Sequence, residues 1–121
     1  MIPISVVVGI LVSHYISDFL MQTSWMALGK SKRLLPLIAH IFMYITIMTF
    51  LTTFYINPVF SILALKWMAL NGLTHFFIDF ITSRIGSKLW AKQKTTYFFW
   101  NLGFDQLLHY VILFLTYYWM F

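Results

Sequence analysis

The feature that most restricts this chain is where its charge is missing. Apolar runs cover roughly 4–28, 35–55, 59–83 and 97–120, and almost every Lys and Arg falls between them. Each run is long enough for the about 20 residues a helix needs to cross a bilayer. A soluble domain carries about 25% charged residues to give its core a wettable cover. Here charged residues are 9% of the chain and hydrophobic ones 61%, so lipid is the natural solvent for the outer face. The expected fold is therefore all-α. It is a polytopic membrane protein, an antiparallel bundle of four transmembrane helices forming a single integral domain over 1–121.

The basic residues set the expected orientation. Lys30, Lys32 and Arg33 lie in the first connection, and Arg84, Lys88, Lys92 and Lys94 lie in the third. The second connection and both tails have none, so the positive-inside rule puts connections one and three in the cytoplasm. Both termini are then on the non-cytoplasmic side. Lys66 falls in the outer half of the third crossing, where its stem can snorkel to the interface. Pro36 suits the opening turn of the second helix, and Asn57-Pro58 punctuates the second connection. The stretch over 86–95 has room for a short interfacial helix, with Trp90 at the headgroup level. The first segment does not read as a cleavable signal peptide, because it lacks a basic start and His14 and Asp18 interrupt its apolar run.

A net charge of +5 does not imply nucleic acid here, since there is no basic soluble module to fit a groove. The absence of cysteine excludes disulfides, thiolate metal sites and cysteine nucleophiles. With no glutamate there is no HExxH motif, and no glycine-rich phosphate loop is present.

All three acidic residues and all four histidines fall inside expected crossings. One ionisable group at the bilayer centre costs about 2.5–3.5 kcal/mol, so three unpaired aspartates cost on the order of 8–10 kcal/mol. Their spacing suggests what offsets this. Helix one carries His14, Asp18 and Gln22; helix three carries Asn71, His75 and Asp79; helix four carries Asn101, Asp105 and His109. Each set repeats at i, i+4, i+8 and lines one helix face. The His-then-Asp order reverses in helix four, which crosses in the opposite sense to helices one and three. Antiparallel packing is thus expected to put the aspartates at one depth and three histidines about 6 Å deeper. His40 joins from helix two near the aspartate level.

Imidazole and carboxylate together suit zinc, manganese or iron rather than magnesium or calcium. Helix bundles build such sites from inward-facing carboxylates and histidines. The expected ligands are His14, Asp18, His40, His75, Asp79, Asp105 and His109, for one or two divalent ions, zinc foremost. Asp18 and Asp105 are also the expected acid–base groups. Gln22, Asn71, Asn101 and Gln106 are placed to orient the ligands. Tyr15, Tyr44 and Tyr110 read as aromatic packing.

The strings HYISDFLMQTSWM, LIAH, LTHFFID and DQLLHYVILF, in that order, span nearly the whole chain. They resemble a family of short polytopic membrane proteins of bacteria and their phages, domain of unknown function 3307. The resemblance marks His14, Asp18, Gln22, His40, His75, Asp79, Asp105, Gln106 and His109 as the family's polar positions, and it implies a bacterial cytoplasmic (inner) membrane. It brings no activity with it. A more distant likeness to membrane-bound metal-dependent hydrolases is analogy only.

The reading favoured on these grounds is a membrane-embedded metal-binding protein with a His/Asp site open to the cytoplasm. Its expected activity is metal-dependent hydrolysis of a lipid-accessible or anionic substrate, drawn in by a cationic rim of Lys30, Lys32, Arg33, Arg84 and Lys88. Two alternatives stay open: a proton-coupled or metal-ion transporter or channel subunit, and a non-catalytic accessory protein with a polar structural core. The expected partners are the lipid bilayer and further copies of the chain or another membrane protein, not nucleic acid.

Overall fold

The computed structural model describes residues 1–53 and 62–121, and these are helical with no strand among them. The elements are α1 (Ile4–Tyr15), a π-helical turn (Ile16–Leu20), α2 (Ser24–Gly29), α3 (Leu34–Thr52), α4 (Ile62–Ala91) and α5 (Thr95–Met120). The Asn57-Pro58 turn and the expected helix ends at 55 and 59 lie outside the described residues.

The first apolar run is not one continuous helix. Ser17 turns its hydroxyl back onto the carbonyl oxygens of Ser13 (2.6 Å) and His14 (3.3 Å), a local bond that competes with the regular ladder. The backbone widens into the π turn just there, as such turns do near functional sites. The helix stops at Met21, and Thr23 starts a new one by accepting the Met26 amide at 3.3 Å. Gln22 falls in the break, so it does not stand one α-turn above Asp18.

The third helix is longer than its apolar run. α4 is one helix of 30 residues, about 45 Å, that continues through the segment 86–91 expected as part of an interfacial helix. A tight turn follows, with Gln93 at φ 56°, and α5 returns antiparallel along α4.

Close approaches hold the bundle together. A Cβ at Gly72 would collide with the Ile45 side chain, so α3 and α4 meet closely there. At Gly29 it would stand 2.7 Å from Pro36 Cγ, which is how α2 lies against the start of α3. Val6, Ile10, Met48, Trp67, Met68 and Leu113 pack with Tyr44 into one apolar cluster. Trp67 Nε1 and Asn71 Nδ2 both donate to Thr116 Oγ1, at 2.8 and 2.9 Å, tying α4 to α5.

Polarity is arranged inside out. The three aspartates and four histidines are all buried, from 0% exposed at His14 and His40 to 7% at Asp105. Large apolar side chains face outward, Phe42 at 72% and Trp119 at 83% exposed among them. Leu34–Thr52 and Thr95–Met120 are long and apolar enough to cross a membrane. α4 is long enough, but Lys66, Asn71, His75 and Asp79 dilute its apolar character.

Candidate metal centre

Four segments bring their polar side chains to one place. Asp18 from the π turn, His40 from α3, and His75 and Asp79 from α4 form one group whose ligand atoms all lie within 4.8 Å of one another. Asp79, Asp105 and His109 form a second group of the same kind. Asp79 belongs to both, and each of its oxygens faces a different neighbourhood. Oδ2 lies 3.2 Å from His40 Nε2, and Oδ1 lies 3.2 Å from His109 Nε2 and 3.6 Å from His75 Nε2.

The first group is a set of converging imidazole nitrogens and carboxylate oxygens. Asp18 Oδ1 is 3.1 Å from His40 Nε2 and 3.3 Å from His75 Nε2, and the two ring nitrogens are 3.3 Å apart. In the second group, His109 Nε2 stands 3.6 Å from Asp105 Oδ2. These buried groups have the donor types and the spacing to hold a metal ion.

The remaining polar groups fix the ligands in place. Gln106 donates through Nε2 to Asp18 Oδ2 (2.9 Å) and Asp105 Oδ2 (3.0 Å), so one amide joins carboxylates from two helices. Its Oε1 accepts from His14 Nε2 at 3.0 Å, and the Tyr44 hydroxyl donates to His14 Nδ1 at 3.2 Å. Thr82 donates to the other Asp105 oxygen. Rings close the top of the centre: His75 stacks on His109 with centroids 3.9 Å apart, and Tyr44 covers His75 at 4.1 Å.

Lys30 reaches in from the first connection, and its ammonium donates to Asp79 Oδ2 at 2.7 Å. Burial disfavours that charge, but the Asp79 and Asp18 carboxylates outweigh the cost and hold the lysine pKa above its ordinary value.

Several sequence expectations change at this point. The layering is not among them: the His14, His75 and His109 rings gather with centroids 3.9 to 6.2 Å apart, while Gln106 joins Asp18 to Asp105. The α4–α5 register, with Gly86 against Phe98 and Asn101, sets His75 beside His109. His14 stands outside both ligand groups, with each ring nitrogen already hydrogen-bonded. Asn71 faces Thr116 and the Trp67 carbonyl rather than a ligand. Asn101 donates to the Thr82 carbonyl, and the buried Gln22 Oε1 has no protein partner. Of the expected rim, Lys30 and Lys32 line the cavity beside the centre. Arg33 and Lys88 are exposed, and Arg84 bonds the Phe80 carbonyl while lying over the Phe80 ring.

Sequence reasoning placed Lys30 on the rim and assigned no role to Thr82. Both left a signal. Three buried carboxylates call for a counter-charge, and Lys30 is the first cation after Asp18. Thr82 lies three residues beyond Asp79, on the same helix face. Tyr44 is likewise one turn beyond His40.

Fold and site together define an all-helical protein built around a buried histidine–aspartate cluster. Residues 6–121 match the family described as protein of unknown function, DUF3307, and the chain belongs to that family. Neither the curated proteins nor the solved structures contain a match.

Proposed function

We propose that this protein spans a bacterial cytoplasmic membrane four times, with both termini outside the cytoplasm, and carries a divalent metal centre that opens toward the cytoplasm. The observation that carries the metal reading is the spacing of the ligand atoms. Around tetrahedral zinc, with ligands at about 2.0–2.1 Å, neighbouring ligand atoms stand about 3.3–3.4 Å apart. Asp18 Oδ1, His40 Nε2 and His75 Nε2 stand 3.1–3.3 Å from one another. Asp79 approaches His40 through Oδ2 at 3.2 Å and His75 through Oδ1 at 3.6 Å, with one ligand atom from each of the four within 4.8 Å of the rest. Charge is compatible with the same reading: with the histidines neutral, as metal ligation requires, three carboxylates against the Lys30 ammonium would leave two negative charges for one divalent cation to balance.

Zinc fits the donor set best, with manganese or iron as the other choices. A second ion would share Asp79. Metal-dependent hydrolysis of a lipid-accessible or anionic substrate follows from this chemistry, since a bound divalent ion lowers the pKa of a coordinated water. Asp105 and Asp18 border the adjoining cavity, where a carboxylate can take up a proton. The apolar cluster of Ile10, Met48, Met68 and Leu113 around Tyr44, which covers the histidines, supports a closed centre over a conducting path. The bilayer reading is supported by the inside-out polarity, since buried charge under an apolar exterior suits lipid rather than water.

Elemental analysis of protein purified without chelator tests the centre. One or two equivalents of a transition metal are expected, and Asp79→Ala should lower affinity at least about tenfold, as it removes the carboxylate common to both groups. Metal-free wild type, with alanine variants at all seven positions equally stable, would end the metal reading.

A further inference from the structure

A cavity of about 590 Å³ adjoins the centre, and its walls carry two chemistries. At the inner end are Asp18, Asp105 and Gln106, members of the centre and its hydrogen-bond network. Toward the connections the lining turns cationic and hydroxylic, with Lys30, Ser31, Lys32, Ser83 and Ser87. Ser83 Oγ is itself buried and has no hydrogen-bond partner in the protein. The remaining wall is apolar and includes Phe19 from the π turn, Leu28 from α2, Trp90 from α4, and Phe99 and Leu102 from α5. Leu28 and Phe99 are also largely exposed, at 72% and 60%, so this wall continues onto the outer surface.

These features select a ligand class. Pockets of about 300–1,000 Å³ hold small molecules, and their few polar groups set orientation and specificity. The lysines suit a tetrahedral oxyanion, which such charged donors bind well. A bare anion has no use for five large apolar side chains beside it, and a neutral lipid has no use for the lysines. An amphiphile with an anionic head and an apolar tail uses both. The lateral continuation of the apolar wall lets the tail extend into surrounding lipid while the head sits among the lysines.

We infer that the cavity binds a phosphate ester bearing a long apolar chain, with the phosphate beside the metal centre and facing Lys32 and the Lys30 ammonium that also holds Asp79. The chain lies along Leu28, Phe99 and Leu102. As a substrate class this rests on the proposed centre; as a binding site it rests on the cavity alone.

Calorimetric titration of the purified protein in a neutral detergent tests it with three probes: dioctanoylglycerol phosphate, inorganic phosphate and dioctanoylglycerol. Metal content is measured on the same preparation. The phosphate lipid is expected to bind at least about tenfold more tightly than either other probe. Lys32→Ala should weaken it about fivefold or more while leaving metal content and dioctanoylglycerol binding unchanged. Leu102→Gln should reduce its advantage over inorganic phosphate. Inorganic phosphate binding as well as the phosphate lipid would overturn the amphiphile and leave a free-anion site. Equal binding of dioctanoylglycerol would overturn the headgroup assignment. No binding of the phosphate lipid to metal-loaded protein would overturn the inference while leaving the metal centre standing. Tight, Lys32-dependent lipid binding to metal-free protein would uphold the site and remove the centre instead.

Discussion

At the residue scale, Gln106 is the side chain on which the cluster's order depends. Its amide donates to two carboxylates from different helices and accepts from His14, so its oxygen also decides which His14 nitrogen carries the proton. With Nε2 protonated, Nδ1 is left to accept from Tyr44, and the chain of bonds runs unbroken from Asp105 to α3. Gln106→Leu keeps the volume but leaves two buried carboxylates and a histidine each short of a partner. The expected loss is about 1–3 kcal/mol for each unsatisfied group, softened wherever water enters. Thermal unfolding in detergent measures it, and Tyr44→Phe, which removes a single hydroxyl, should cost less. A Gln106→Leu protein as stable as wild type would mean the amide carries no structural weight.

At the scale of elements, helix contacts depend on which glycines have neighbours. Gly72 sits against the half-buried Ile45 side chain, which must shift to make room for a methyl group. Gly72→Ala should therefore destabilise by about 1–3 kcal/mol, the usual cost of overpacking. Gly103 lies within α5, and a methyl group added there would meet nothing within 4 Å, so its helix gains from a side chain. Gly103→Ala should stabilise by roughly 0.5–1 kcal/mol. Opposite signs from the same substitution test the helix packing directly, and unfolding curves for both variants read it out. Equal effects would put the α3–α4 contact elsewhere. Most of the element pattern was legible beforehand, because helix periodicity and length are local properties. The exceptions were the π turn with the break at Met21–Thr23, and the run of α4 through to Ala91. Both depend on hydroxyl–carbonyl bonds and on packing that a periodic pattern does not contain.

On the scale of the whole molecule, orientation is the property to test. Reporter fusions at Lys32 and Lys92 should read cytoplasmic, and fusions at Asn57 and after Phe121 should read external. The two basic connections also flank the cavity, so its cationic side would face the anionic leaflet. An external reading at Lys32 would reverse the proposed direction of access to the centre, and a cytoplasmic reading after Phe121 would change the number of crossings.

The sequence by itself determined that the chain is helical, that its aspartates and histidines share helix faces, and that their donor chemistry suits a transition metal. These follow from an i, i+4 repeat and from the cost of leaving charge in an apolar setting, both readable along a single segment. Only the tertiary structure decided which members meet. Asp79 became common to both ligand groups, His14 was drawn off by Gln106 and Tyr44, Asn71 went to Thr116, and Lys30 entered as counter-charge. The reason is physical: spacing specifies the face a side chain occupies, whereas the depth at which two faces meet depends on how closely their backbones approach. Here Gly29 against Pro36, Gly72 against Ile45 and Gly86 against Asn101 mark those approaches.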